Sequence, residues 1–161
     1  MIAIIDYGMG NLRSVQKAFE YVGARAFVTQ SVDEIMKADR IVLPGVGAIQ
    51  PAVDKLMELN LVDIIKEAIR NKKPFLGICL GYQLLFTKSS EGGSTKGLDI
   101  IPGEVIRFES KDPTIKIPHM GWNQIELSKK QCPLYEGVEN NVNVYFCHSY
   151  YCVPQQESSI A

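Results

Sequence analysis

Met1-Ile2-Ala3-Ile4-Ile5 opens the chain as a continuous apolar run that stops at Asp6. With no polar residue alternating through it, such a run fits a strand buried on both faces, as parallel strands are. Tyr7 to Asn11 carries two glycines and reads as a turn. Leu12, Val15, Phe19 and Val22 then recur at three- and four-residue spacing, which predicts an amphipathic helix closed by Gly23. Arg25 to Thr29 reads as a second strand, and Ser31 with Glu34 has capping-box spacing ahead of a short helix. Arg40 to Leu43 is a third strand, running into Pro44-Gly45-Val46-Gly47. Two helical patterns follow, the second carried by Leu61, Ile64, Ile65, Ala68 and Ile69. The apolar run after Pro74 forms a fourth strand ending at Cys79, and Leu80 to Phe86 continues as a helix.

Strands alternating with helices in this way predict an α/β fold with a doubly wound, mainly parallel sheet, in which ligands bind beyond the carboxyl ends of the strands. The turn at residues 6–11, the loop at residues 44–47 and Cys79 all stand at such ends, so they are expected to share one edge of the sheet. After the fourth strand the pattern changes. Thr87 to Gly97 is a polar, glycine-rich stretch containing Glu91 and reads as a loop. Glu104 to Phe108, Asn123 to Leu127, Asn143 to His148 and Tyr150 to Val153 read as short strands separated by Pro, Gly and Asn turns. The expectation is one domain over residues 1–161, built on a single sheet to which these antiparallel or mixed strands are added.

Composition narrows the function. At 161 residues and 46% hydrophobic, the chain can build one sizeable core. Its 17 Lys and Arg nearly balance 18 Asp and Glu, with no basic stripe, so nucleic acid is not an expected partner. Neither a signal peptide nor a membrane-length apolar run is present, which predicts a cytoplasmic protein with no membrane partner. Cys79, Cys132, Cys147 and Cys152 contain no C-x-x-C pair and, with two histidines, make no zinc pattern, so reduced thiols, no metal and no cofactor are expected. The last three cysteines read as packing residues. Gly8-Met9-Gly10 lacks the third glycine of a dinucleotide fingerprint, since Arg13 stands there, and reads as a turn.

The chemistry centres on Gly77-Ile78-Cys79-Leu80-Gly81. A nucleophile on a sharp strand-to-helix turn needs small residues two before and two after it, and both positions hold glycine. A cysteine there meets free helix N–H groups that favour the thiolate. The same pattern also fits a buried cysteine at a strand end packed under a helix. Likewise the glycines of residues 44–47 fit either an ordinary turn or a loop that aims N–H groups at a ligand.

Taken together, residues 5–12, 43–48, 77–83, 118–123 and 148–150 resemble the class I (triad-type) glutamine amidotransferases, and among them the glutaminase subunits of imidazole glycerol phosphate synthase in histidine biosynthesis. The resemblance implies that Cys79 attacks the amide carbon of glutamine, releasing ammonia and leaving a glutamyl thioester for water to hydrolyse. It implies an oxyanion hole at Val46, Gly47 and Leu80, and substrate binding by Gln83, Glu91 and the His148-Ser149-Tyr150 segment. It implies a partner, the cyclase subunit, a (β/α)₈ barrel in many members, met by Asn11, His119, Met120 and Trp122 to form a heterodimer. Read from residue type alone, Gln83 fits a helix surface, Glu91 a solvated loop charge, His148 a strand histidine and Trp122 a core side chain. The family completes its triad with a later His-x-Glu pair, whereas the residues two after His119 and His148 are Gly121 and Tyr150. The expectation is therefore a fragment or truncated form with impaired activity, ending inside a strand at Ser158 to Ala161. Alternatives are a glutaminase for another ammonia-using synthase, a non-catalytic regulatory subunit, and a cysteine hydrolase of the α/β-hydrolase type.

Overall fold

The computed structural model describes residues 1–112, 114–127 and 132–156. Four parallel strands, β1 (Ile2–Ile5), β2 (Ala26–Thr29), β3 (Arg40–Leu43) and β4 (Phe75–Gly77), form a sheet in the order β2-β1-β3-β4. Between them run helices α1 (Leu12–Tyr21), α2 (Val32–Lys37), α3 (Ile49–Glu58) and α4 (Leu61–Arg70), and α5 (Leu80–Gln83) follows β4. The alternating βα pattern predicted from hydrophobic spacing is borne out over this half of the chain.

Register explains the two layers. Ile4 lies opposite Val42, and Val42 opposite Leu76, so these side chains form one row across the sheet. That row packs against Leu12, Val15 and Phe19 of α1. The intervening residues Ile5, Ile41 and Leu43 point the other way and join Leu56, Leu61, Ile65 and Leu84 in the larger core under α3, α4 and α5. Full burial of one such aliphatic side chain contributes about 1.5–3 kcal/mol. The hydrophobic stripes of α3 and α4 therefore fix the face of the sheet on which the elbow helix must lie.

The strand order reverses between β1 and β3, which is where crevices open at the carboxyl edge of such sheets. The loops after β1, β3 and β4 leave from that edge, as expected.

The second half holds mixed and antiparallel strands, but they do not extend the parallel sheet. β5 (Phe86–Ser89), β6 (Thr95–Lys96), β7 (Ile101–Arg107) and β10 (Tyr150–Pro154) make a second sheet in the order β10-β7-β5-β6, while β8 (His119–Gln124) and β9 (Asn143–His148) form a two-stranded ribbon. The single sheet expected from sequence is thus three. The elbow helix stops at Gln83 rather than Phe86, because Phe86 is fully buried as the first residue of β5, with its ring edge-on to Tyr82 at 5.2 Å. The stretch expected as a loop at residues 87–97 contains most of β5 and all of β6. The strand expected at residues 123–127 lies earlier, at His119–Gln124, where it pairs antiparallel with β9.

The capping box at α2 is half formed. Ser31 Oγ accepts from the Glu34 N–H at 3.4 Å, but the Glu34 carboxylate turns to the Thr29 hydroxyl, and Ser31 N–H donates to Thr29 Oγ1 at 2.9 Å. The strand expected at Ser158 to Ala161 lies outside the described residues. Among the described residues no helix is long and apolar enough to cross a membrane.

Candidate active site

Cys79 occupies the turn between β4 and α5 with φ 55° and ψ −116°, a backbone conformation that costs a non-glycine residue about 1–3 kcal/mol. Its side chain is exposed. The buried strand-end alternative is thereby set aside. The flanking glycines do what an elbow requires. A β-carbon on Gly81 would collide with the carbonyl of Leu43, and one on Gly77 would stand 2.6 Å from the Tyr82 α-carbon. Helix and strand can approach this closely only because both positions lack side chains.

The loop after β3 closes on the same point. A β-carbon at Gly45 would lie 3.0 Å from the Gly81 nitrogen, and Gly47 has φ 93°, a left-handed conformation that suits glycine. Val46 and Gly47 are exposed, whereas Leu80 is 2% exposed and its side chain packs in the core under α3 and α4, so it can offer the site only its backbone. The N–H groups of Val46, Gly47 and Leu80 donate to no acceptor among the described residues.

These groups meet in one cavity of about 490 Å³. It is lined by Val46, Gly47, Cys79, Leu80, Gln83, Glu91, Pro118, Cys147 and residues 148–150. Every residue expected at the oxyanion hole or in substrate binding is on its wall. Volumes of roughly 300–1,000 Å³ are usual for small-molecule sites, and polar groups scattered on a concave wall are what fix a ligand's orientation.

Individual partners give each wall its stiffness. Glu91 Oε2 accepts from the Ile49 N–H at 2.9 Å, capping α3, whose N-cap residue Ala48 has no side chain able to do so. Glu91 is therefore half-buried and tied down rather than a solvated loop charge. His148 Nδ1 lies 3.0 Å from the Tyr150 carbonyl; a carbonyl can only accept, so Nδ1 carries a proton and donates to it. That ring also packs against Phe108 at 4.9 Å and Phe146 at 5.5 Å. A second opening of about 400 Å³ continues from Cys79 and Gln83 to Tyr82, Tyr151 and Cys152. Burial pushes the Tyr82 phenol up to about 12 and the Cys152 thiol likewise to about 12, so both are neutral near pH 7.

The four residues expected to meet a partner are separated. Met120 and Trp122 are 61% and 73% exposed on one face of β8, where Trp122 meets Tyr145 edge-on at 5.6 Å. His119 faces the other way, stacked on Phe146 at 4.9 Å and opposite His148 in the ladder. Asn11 is exposed and caps α1, its Oδ1 accepting from the Ser14 N–H at 3.3 Å. Trp122 is not a core residue.

Cys147 and Pro118 are on the cavity wall although sequence reasoning assigned neither to the site. Cys147 is exposed, against the packing role expected of it. The available signal was its place beside His148, which strand alternation argued against. No group of three His, Cys, Asp or Glu that could hold a metal occurs among the described residues.

Comparison with known proteins places the chain in a family. A family model described as glutamine amidotransferase class-I matches residues 3–160. The imidazole glycerol phosphate synthase subunit HisH of Syntrophotalea carbinolica is 50% identical over 165 residues, covering 100% of this chain and 80% of its own length. The subunit of the same name from Geobacter sulfurreducens is 51% identical, covering 99% and 78%. A solved structure described as a glutamine amidotransferase superposes with TM-score 0.67 at 13% identity over 97% of this chain and 75% of its own. Another, from Thermotoga maritima, gives 0.62 at 16% over 96% and 63%. At such identities the superpositions speak for the fold alone.

Proposed function

The chain belongs to the class I glutamine amidotransferases, and we propose that it is the glutaminase subunit of an imidazole glycerol phosphate synthase, with Cys79 as its nucleophile. What carries this reading is the single cavity that gathers Cys79 with Val46, Gly47, Leu80, Gln83, Glu91, His148, Ser149 and Tyr150.

The Cys79 sulfur attacks the side-chain amide carbon of glutamine. The carbonyl oxygen gains the charge, and N–H groups from Leu80 and from residues 46–47 receive it; each such donor is worth about 2.7–4 kcal/mol in a preorganised site. Collapse of the intermediate breaks the C–N bond, the nitrogen takes the proton given up by the Cys79 thiol and leaves as ammonia, and a glutamyl thioester remains for water to hydrolyse. Gln83 and Glu91 hold the α-amino and carboxylate ends of the substrate, with residues 148–150 as the strand beside it. The N–H groups of Val46, Gly47 and Leu80 support the oxyanion assignment, because none is engaged elsewhere among the described residues.

Ammonia released into water is protonated and diluted, so a second site can use it only across a sealed junction. Met120 and Trp122 supply the exposed apolar surface for such a junction with a cyclase subunit. The test is to mix the chain with the cyclase subunit of an imidazole glycerol phosphate synthase, and to measure complex formation and glutamate release. A stoichiometric complex is the expected result, with glutamate release slow because neither His119 nor His148 is followed two positions on by a carboxylate. Failure to form a complex overturns the pathway assignment.

A further inference from the structure

Glu91 stands in the hairpin between β5 and β6, where its N–H donates to Ser89 Oγ at 3.1 Å and its carbonyl accepts from the Thr95 hydroxyl at 3.2 Å. Ser89 and Thr95 face each other across the ladder and are 2% and 5% exposed, so both anchors are buried. From that fixed point the carboxylate reaches out of its own sheet to the Ile49 N–H at 2.9 Å. Ile49 stands two residues after Gly47. From Gly45 to Ile49, the Ile49 N–H is the only backbone donor with an acceptor among the described residues. This bond is therefore the tie at the downstream end of the loop that carries the Val46 and Gly47 N–H groups. The upstream end is wedged by packing instead, since a β-carbon on Gly45 would stand 3.0 Å from the Gly81 nitrogen and the Leu80 β-carbon. Oε1 of Glu91 accepts from no donor among the described residues, so one carboxylate oxygen holds the loop while the other is free for a ligand.

We infer that Glu91 is a positioning residue for the oxyanion donors: its carboxylate, anchored in the second sheet, pins the loop at residues 45–48 so that the Val46 and Gly47 N–H groups face the carbonyl that Cys79 attacks. This rests on the reading of Cys79 as the nucleophile, and it is separate from any contact Glu91 makes with the α-amino group of glutamine. Donors in an oxyanion hole act only when aimed at the place where the charge develops, and a displacement of about 1 Å commonly costs a factor of about a hundred. Gly47, at φ 93° and exposed, and Val46, 53% exposed, have little packing of their own to hold that aim. The pin supplies it.

The experiment uses the mono-4-nitrophenyl ester of glutaric acid, which has the carboxylate and chain length of glutamine but no α-amino group for Glu91 to bind. The Cys79 thiolate attacks the ester carbonyl, an oxyanion forms, and the C–O bond breaks to release 4-nitrophenolate while the glutaryl group stays on sulfur as a thioester, so no proton has to reach the leaving group. Release of 4-nitrophenolate at saturating ester gives the acylation rate in the full chain, and peptide mass spectrometry locates the adduct. Glu91→Ala is expected to acylate about tenfold more slowly or worse, and Glu91→Gln, whose amide oxygen still accepts from Ile49, to recover most of that loss. Alkylation by iodoacetamide forms no oxyanion, and its rate at Cys79 is not expected to fall in either variant. Unchanged acylation in Glu91→Ala, equal losses in both variants, or a parallel fall in alkylation overturns the inference. Thermal unfolding reports on the fold; should Glu91→Ala not fold, Glu91→Asp keeps the charge but is one methylene too short for Ile49, and unchanged acylation there overturns the inference. An unsubstituted chain that gives no adduct on Cys79 sinks the nucleophile reading itself, whereas an adduct formed equally fast without the Glu91 carboxylate sinks only the positioning role.

Discussion

The carboxylate of Glu91 accepts a hydrogen bond from the backbone N–H of Ile49 at 2.9 Å, joining residues 42 positions apart across the mouth of the cavity. One oxygen caps α3 while the side chain also lines the wall beside Cys79. Stability and substrate binding therefore share one residue, and substitution can separate them. Glu91→Ala is expected to cost about 1 kcal/mol of stability in urea denaturation, the usual worth of a helix N-terminal acceptor, and to raise KM for glutamine. Glu91→Gln keeps an oxygen acceptor for Ile49, so its stability is expected to stay within about 0.5 kcal/mol while KM still rises. Equal stability losses in both variants would contradict the capping role.

Gly81 has no space for a side chain, because its β-carbon would fall on the Leu43 carbonyl. Gly81→Ala is expected to destabilise by about 2–3 kcal/mol, since backbone on both sides must move. Gly92 has φ +68° and open space around it, so Gly92→Ala is expected to cost only about 1 kcal/mol. Chemical denaturation of the two variants checks the difference.

Thiol reactivity should divide the cysteines. Cys79 and Cys147 are exposed, whereas burial pushes the Cys152 thiol up to about 12. A raised value keeps the group as thiol below that pH, and only the thiolate reacts. At pH 8, Cys152 is expected to alkylate at least about a hundredfold more slowly than Cys79 or Cys147, with peptide mass spectrometry as the readout.

Trp122 is 73% exposed, so Trp122→Ala is expected to leave the isolated chain's stability within about 0.5 kcal/mol. At the centre of a partner interface, truncation of a tryptophan commonly costs about 2 kcal/mol or more. Titration calorimetry with the cyclase subunit distinguishes a buried anchor from a bystander.

The first half of the chain was legible because hydrophobic spacing there reports geometry directly. A both-faces-buried run such as Ile2–Ile5 and the stripe of Leu61, Ile65 and Ala68 leave few alternatives, and they place three loops at one edge. The cavity residues were legible through resemblance, since Gln83, Glu91 and His148 have no distinctive local signal. What stayed hidden depended on long-range contacts. Phe86 looked like a helix residue until its burial in β5 is seen, and Pro118 with Gly121 disguised β8, whose partner strand lies more than twenty residues on.

The central claim, that Cys79 is a glutamine-directed nucleophile, is tested most directly by a chloroketone analogue of glutamine applied to the chain with its cyclase partner. Tryptic mass spectrometry should find one adduct, on Cys79, that excess glutamine prevents and Cys79→Ser abolishes. Equal modification of Cys147, or labelling of Cys79 that glutamine does not slow, would contradict the account.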